Sequence, residues 1–317
     1  MLSLDKLISL TNFSYYNKKV PTIYCDFSTY AQSKNNVLGK ANALNFLSKF
    51  QKSEKEELNI LELGCGNGSF ALSFLNFLKN KNKKLLENIN YFLADFSPPV
   101  LNLAFRNIKK SFPNLNLKKI LFDANSPNFK FEERFDYIRA NELLSDLGAK
   151  VYVKKPPFFY EVKYDYNLNF SLTKVKPSSS VLSILNYFPE NFFIPFNFKA
   201  AKLLFYLYRF LNRGGYAEFF DYGFFSREDF ILEEEEWNKL IVRKYSNQIT
   251  VDVNFFYLQN FLKSKSIFPQ LKLQRKYIED AVGKKPFRVE TSEGLDYVFR
   301  NSAIEEEDYF YFLVFSK

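Results

Sequence analysis

The sequence predicts an α/β protein built on one doubly wound, mostly parallel sheet with helices on both faces. Three observations carry that expectation. From about residue 58 onward, short apolar runs alternate with stretches of helical periodicity. Three glycines stand at alternate positions in "LNILELGCGNGSF" (58–70), between the first apolar run and the first helical stretch, although the chain holds only 10 glycines in 317 residues. Finally, Glu62, Asp95 and Asp123 place acids at or near the ends of three successive apolar runs, the edge at which open α/β sheets take their ligands.

The elements follow in order. After a mixed N-terminal segment, helical at about residues 37–51, "LNILEL" (58–63) reads as a buried strand. "GSFALSFLNFLK" (68–79) puts Phe70, Phe74 and Phe77 with Leu75 and Leu78 on one helical stripe. "INYFLAD" (89–95) is the next strand, and Pro98 and Pro99 open a helix through "VLNLAFRNIKK", since proline in a first turn removes no hydrogen bond. "LKKILFD" (117–123) and "RFDYIRA" (134–140) are further strands. A helix from about Phe198 to Leu211 is expected to stop at Gly214-Gly215 before the strand "YAEFFDYG" (216–223). "DYFYFLVFSK" (308–317) is the last strand, expected to lie antiparallel to the others.

Residues 151–196 break the rhythm. "FFYEVKYDYNLNFSLTKVK" reads as two strands around an Asn-rich turn, followed by "PSSS" and "FPENFFIP". The expectation is an inserted hairpin or lid within a single domain spanning 1–317, folded over the carboxyl edge of the sheet. Its Tyr160, Tyr164, Tyr166, Phe192 and Phe193 would select a substrate there or simply anchor the hairpin.

Composition excludes several chemistries. The chain has no histidine, which removes every mechanism with a His base and the usual zinc constellations, so no metal site is expected. Two cysteines, Cys25 and Cys65, make no disulfide framework. The net charge of +9 is spread over lysine pairs and interrupted by acid runs at Glu233–Glu236 and Glu305–Asp308, a solvated surface rather than a nucleic-acid track. The 39 Phe and 21 Tyr, on a background rich in Lys and Asn, point to a biased nucleotide composition. No run approaches the roughly 18 apolar residues of a membrane span, and Asp5 stands where a signal peptide needs an apolar stretch. The cytoplasm is the expected compartment.

A strand that ends in a glycine turn before a helix presents backbone N–H groups to a ligand at close approach. Gly68 is followed by Ser69-Phe70, so the turn lacks the Lys-Ser/Thr of a P-loop. A dinucleotide fingerprint needs G-x-G-x-x-G, whereas Gly64, Gly66 and Gly68 give G-x-G-x-G. A nicotinamide enzyme therefore stands as a runner-up.

With Glu62 two residues before Gly64, the turn resembles motif I (E/D-x-G-x-G-x-G) of class I S-adenosylmethionine-dependent methyltransferases. The resemblance implies a Rossmann-like methyltransferase sheet and S-adenosylmethionine as cofactor. It implies that Gly64, Cys65, Gly66 and Gly68 cradle the methionine and ribose portion, with Glu62 near the amino group. Asp95, with Phe96 beside it, would hold the ribose hydroxyls through two accepted hydrogen bonds, and Asp123 and Ala124 would face the adenine. The alternative for each acid is a helix cap.

A narrower set of segments resembles the MidA-type family, which includes the mitochondrial complex I assembly factor that methylates an arginine of a partner subunit. "CDFSTYAQS" (25–33) is similar to its G-D-F-x-T-S/A-P-E, "LADFSPPVLNLA" to its E-x-S-P-x-L, "ANELLSDL" (140–147) to its N-E-L/F-L/F-D-A-L-P, and "GGYAEFFDYG" (214–223) to its G-G-x-L-L-x-I-D-Y-G. "QITVDVNFFYL" (248–258) and "LQRKYIEDAVG" (273–283) resemble its last two motifs, in the same order. Cys65, Asp252 and Tyr30 to Gln32 depart from the family pattern. The resemblance implies a protein arginine as methyl acceptor, and an N-terminal segment, 1–50, that covers the site through Asp26 and Thr29.

In such a reaction the cofactor is its own electrophile, so the protein positions the nucleophile, excludes water and takes a proton. An arginine, with a pKa above about 12, needs carboxylates to orient and deprotonate it. The candidates lie past the fourth and fifth strands: Asn141, Glu142 and Asp146, the last expected one helical turn beyond Glu142, and Asp221 with Tyr222. Asn141 also stands within reach of the cofactor. RNA or a small molecule remains an alternative acceptor, although no Asp/Asn-Pro-Pro-Tyr/Phe motif follows the fourth strand. A non-catalytic assembly factor that binds the cofactor without turnover is the other alternative.

Overall fold

The structure is a computed structural model that describes residues 1–18, 37–53, 55–127, 131–284, 286–291, 294–299 and 310–317. Cys25, Asp26, Phe27, Thr29 and Tyr30 to Gln32 lie outside the described residues.

Seven helices matter to the site: α1 (Leu4–Lys18), α2 (Val37–Phe50), α3 (Ser69–Lys81), α4 (Pro98–Ser111), α5 (Phe198–Tyr208), α6 (Phe255–Lys263) and α7 (Gln274–Val282). The main sheet is made of β1 (Leu58–Leu63), β2 (Ile89–Asp95), β3 (Asn116–Leu121), β4 (Phe135–Asn141), β5 (Leu211–Phe224), β6 (Gln270–Leu273) and β7 (Phe310–Ser316). Their spatial order is β3-β2-β1-β4-β5-β7-β6. The first five run parallel, while β7 is antiparallel to both β5 and β6. A two-residue strand, Val253–Asn254, also pairs with the end of β5.

β1 and β2 are mostly apolar because both their faces are covered, with Asn59, Glu62, Asn90 and Asp95 as the exceptions. On one side, Leu203, Leu204 and Leu207 of α5 and Leu258 and Leu262 of α6 pack against Phe92, Ile138 and Phe219. On the other, Phe46 of α2, Phe74 and Leu78 of α3 and Ala104 and Ile108 of α4 meet Ile60, Leu93 and Tyr137. β3 is the open edge, and Lys118 and Lys119 put charge there, which discourages pairing with another chain.

Two boundaries differ from expectation. The helix expected to reach Leu211 stops at Tyr208, and Gly214-Gly215 stand inside β5 instead of ending a helix. The cause is pairing with the end of the chain: Gly214 N–H donates to Lys317 O at 2.8 Å and Lys317 N–H to Gly215 O at 3.1 Å. The strand expected over 117–123 ends at Leu121, which leaves Asp123 in the following turn.

The insertion is larger than a hairpin. Phe158–Tyr164 and Phe170–Val175 flank the Asn-rich turn as expected, but Lys150–Lys155, Ile194–Phe196 and Leu2–Ser3 extend them into a second, antiparallel sheet. Its Val151, Val153 and Val162 share a core with Leu4, Leu7 and Ile8 of α1 and with Ile249 and Val251 of the hairpin Val242–Tyr245/Gln248–Val251. Tyr164 and Phe193 are buried anchors, whereas Tyr166 is 54% exposed. Among the described residues no helix is long and apolar enough to cross a membrane.

Candidate functional site

A half-enclosed cleft opens at the carboxyl ends of β1, β2 and β4, with about 980 Å³ of unfilled space including its mouth. That is room for a nucleoside-sized ligand and part of a second molecule.

Its floor is the glycine turn. Gly64 and Gly66 hold left-handed backbone, at φ +61° and +52°, a region in which a side chain is strained. A Cβ on Gly64 would also stand 3.1 Å from Leu143 Cδ1 across the cleft. Gly68, at φ +86°, precedes α3, and a Cβ there would lie 3.3 Å from the backbone of Ala104 in α4. The first two glycines thus shape the cleft; the third sets how closely two helices pack, and it does not line the cleft. Cys65 does line it, with its thiol pushed well above the usual range by burial and by the nearby Asp95 and Glu62 carboxylates.

Asp95 ends β2 and faces the cleft. The cap of α4 falls to Ser97, whose Oγ accepts from Val100 N–H. Asp95 Oδ1 accepts from Ser97 N–H at 2.9 Å. Burial lifts its pKa to about 6, against the opposing pull of the Ser97, Gly66 and Phe96 N–H groups. Phe96, Asp123 and Ala124 also line the cleft; Asp123 Oδ1 is held by Asn125 N–H at 2.9 Å.

The far wall comes from the end of β4. Asn141, Glu142 and Asp146 all line the cleft. Asn141 Nδ2 donates to Glu142 Oε1 at 3.1 Å, while its buried Oδ1 has no hydrogen-bond partner. Glu142 has φ +48°, a conformation costing about 1–3 kcal/mol for a non-glycine residue; its N–H is anchored on Phe220 O at 2.8 Å. Instead of the expected helical turn, Leu144–Asp146 form a single 3₁₀ turn. Asp146 Oδ2 accepts from Tyr16 Oη at 2.6 Å and Oδ1 from Gln248 Nε2 at 2.5 Å. Burial raises its pKa to about 7 and the Asp221 charge adds to the rise, while the Tyr16, Gln248 and Thr250 donors oppose it.

Three other expected site residues stand behind the wall. Glu62 is buried under the turn, where Tyr91 Oη donates to it and Arg139 Nε lies 3.3 Å away. Asp221 accepts from Ser145 N–H at 3.1 Å and Tyr222 N–H at 2.9 Å, so it fastens the 3₁₀ turn to β5. Tyr222 pairs with Thr250 Oγ1, and Arg243 sits over its ring. None of the three borders the cleft, nor does any residue of the 151–196 insertion.

Sequence reasoning missed Tyr16, the cleft residue contributed by α1. The signal was present: Leu4, Leu7, Ile8, Asn12 and Tyr15 are the buried stripe of a helix, with one polar residue in it. Asn12 bonds both backbone groups of Ile249, at 2.9 Å each, and so ties α1 to the strand bearing Gln248. Among the described residues, the charged side chains lining the cleft are Asp95, Asp123, Glu142 and Asp146, with no Lys or Arg. Apolar walls, carboxylates and close backbone suit a cationic ligand with hydroxyls to be held.

Residues 42–270 match the family described as "Putative S-adenosyl-L-methionine-dependent methyltransferase". The malonyl-[acyl-carrier protein] O-methyltransferase 1 of Ilyobacter polytropus is 31% identical over 115 residues, a stretch that spans 36% of this chain and 36% of that protein's length. A Burkholderia thailandensis protein crystallised with S-adenosyl-homocysteine superposes with a TM-score of 0.71 at 16% identity, over 100% of this chain and 88% of that one. A native crystal structure of an uncharacterised protein of the same superfamily and organism gives 0.62 at 13% identity, over 98% and 93% of the two chains. At these identities the likeness is one of fold.

Proposed function

The chain belongs to this family of S-adenosyl-L-methionine-dependent methyltransferases, and from that premise we propose that it methylates a guanidinium nitrogen of a protein arginine. The observation that carries the acceptor class is the charge of the cleft: among the described residues, four carboxylates line it and no basic side chain does.

Two of the four suit the cofactor. Asp95 would hold the ribose hydroxyls, Asp123 with Ala124 the adenine, and the backbone at Gly64 to Gly66 the methionine portion. Asn141 Oδ1, buried without a partner, would accept from the cofactor's ammonium group. Glu62 serves this site indirectly: paired with Arg139, whose Nη2 donates to Phe70 O at 3.2 Å, it fixes the start of α3. When bound, the cofactor supplies a methyl carbon made electrophilic by its sulfonium.

Glu142 and Asp146 remain for the acceptor. A guanidinium is planar, carries five N–H donors and no acceptor, and is bound best by carboxylates. It must also lose a proton before a nitrogen lone pair is free, and a carboxylate titrating near neutral pH can take it. The ordered resemblance to the MidA-type segments supports the same acceptor. O-methylation of a malonyl group, the reaction in the name of one relative, would bring an anionic acceptor against Glu142 and Asp146, which like-charge repulsion disfavours.

Calorimetric titration with S-adenosylhomocysteine tests the cofactor site. Micromolar binding is expected, weakened about tenfold or more in Asp95→Ala, the loss that goes with removing charge-assisted hydrogen bonds of about 1.5–3 kcal/mol. Absence of binding by the folded protein would overturn the reading and favour the nicotinamide alternative. Transfer of labelled methyl from S-adenosylmethionine to arginine-bearing peptides, with lysine-bearing peptides alongside, then tests the acceptor. Label on lysine, RNA or a small molecule alone would overturn arginine, and binding without any transfer would favour the assembly-factor role.

A further inference from the structure

α1 is pinned beside the cleft at several points that serve no obvious need of the core. Asn12 zips it to Ile249, and the carbonyl of Tyr16 accepts from Ser97 Oγ, at the cap of α4, at 2.9 Å. The ring of Tyr16 meets Phe96 edge-on at 5.8 Å, and Phe13 stacks on the same ring at 6.1 Å. The Tyr16 hydroxyl then closes a three-membered polar ring: it donates to Asp146 Oδ2 at 2.6 Å, while Gln248 Nε2 donates to Asp146 Oδ1 at 2.5 Å and reaches Tyr16 Oη at 3.1 Å. Both Asp146 oxygens are therefore held, from two elements far apart in sequence, at the wall of the cleft.

We propose that Tyr16 is the positioning residue of the acceptor site: with Gln248 it fixes Asp146 as the group that takes the acceptor's proton, and its ring, seated on Phe96, walls the cofactor end from the acceptor end. The proposal rests on the methyltransferase reading for what fills the cleft and on a nitrogen acceptor, but not on that nitrogen being arginine's. In the step concerned an acceptor N–H bond breaks, its proton passes to an Asp146 oxygen, and its electron pair stays on the nitrogen. Two fixed donors favour the ionised carboxylate over the protonated one, so they keep Asp146 ready to accept. The other groups facing Asp146 are Asp221 of β5, which opposes ionisation, Thr250 beside Gln248, Tyr222 with Arg243 behind it, and Glu142 on the same wall.

The test is a pH titration of the full-length chain carrying ¹³C-labelled aspartate carboxyls, followed by NMR, with Asp146→Asn to assign the signal. In Tyr16→Phe, which keeps the ring and removes the hydroxyl, the Asp146 midpoint should rise by about one pH unit, the effect of losing one hydrogen bond to a charged group. Gln248→Met should move it the same way. S-adenosylhomocysteine affinity should fall far less in Tyr16→Phe than in Asp95→Ala, and the rate of methyl transfer to the arginine peptide should shift to higher pH with the midpoint. An unmoved midpoint in both variants overturns the proposal. So does a loss of cofactor affinity in Tyr16→Phe as large as that of Asp95→Ala. If no arginine peptide is methylated, the arginine reading falls by itself and the carboxyl titration still decides the role of Tyr16.

Discussion

Arg139 stands in the middle of β4, fully buried, opposite Glu62 in the parallel register of β1 and β4. Its guanidinium carbon lies 3.5 Å from the Phe70 ring centroid and 4.5 Å from that of Phe74, so the first helix after the glycine turn is held by a cation against two rings. Burial raises the Glu62 pKa, and the Arg139 charge and the Tyr91 hydroxyl oppose the rise. Removing one partner leaves an uncompensated buried charge, which costs about 3–5 kcal/mol. Arg139→Leu should therefore lower the urea-unfolding free energy by about that amount, and Glu62→Met with Arg139→Leu by much less. Glu62 of the glycine motif and Asp95 at the end of the next strand were both legible as residues, but not their separate tasks. Asp95 faces the cleft, whereas Glu62 is turned away by a cross-strand arginine that "RFDYIRA" displays openly in an apolar run. A charge inside a buried strand announces a partner, and sequence spacing does not say which acid supplies it.

At the scale of elements, the helices that cover the glycine turn approach one another closely. A Cβ on Gly39 of α2 would fall 1.9 Å from Ser73 Oγ and 2.5 Å from Ser73 Cβ of α3, so Gly39→Ala must push the helices apart. The expected cost is about 1–3 kcal/mol, read as a lower thermal midpoint that Ser73→Gly partly restores. Most strands of the parallel core were legible because two-sided burial writes itself as continuous apolar runs. The stripe of α1 was present but broken, since Asn12 interrupts it for a backbone contact that forms only once the 248–251 strand is in place. The second sheet was legible only as one hairpin, because Leu2–Ser3 joins it from the N-terminal segment and Ile194–Phe196 pairs with Lys150–Lys155 across the length of the insertion. Gly214-Gly215 read as a helix stop for the same reason: their partner is Lys317, which local pattern cannot supply.

Over the whole molecule, the response to pH among the described residues is set by buried acids: Glu62, and four others raised into the range of about 6 to 7. Asp95 and Asp221 have pKa values raised to about 6, and Asp146 and Glu218 to about 7, burial being the first cause in each. Glu218 is held by Asn42 Nδ2 at 2.6 Å, Tyr137 Oη at 2.6 Å and Tyr277 Oη at 3.2 Å, and the two tyrosines with the Lys49 and Arg139 charges only partly offset its burial. Because each folded-state pKa lies above its unfolded value, the folded chain binds more protons across the window from about pH 4 to 7. Their contribution is fully present below that window and is lost as pH rises through it. Thermal unfolding followed from pH 5 to pH 8 should show a falling midpoint, with a shallower fall in Glu218→Gln. The sheet order carries a different consequence, for the time during which the chain is made. β7 fills the gap between β5 and β6, yet it is translated after both. While residues 270–309 are emerging from the ribosome, β5 presents an open edge to whatever is nearby, and β6 has no neighbour to join. The nascent chain can assemble its cofactor half early, but the far side of the sheet can close only when the segment that belongs in its middle has been delivered.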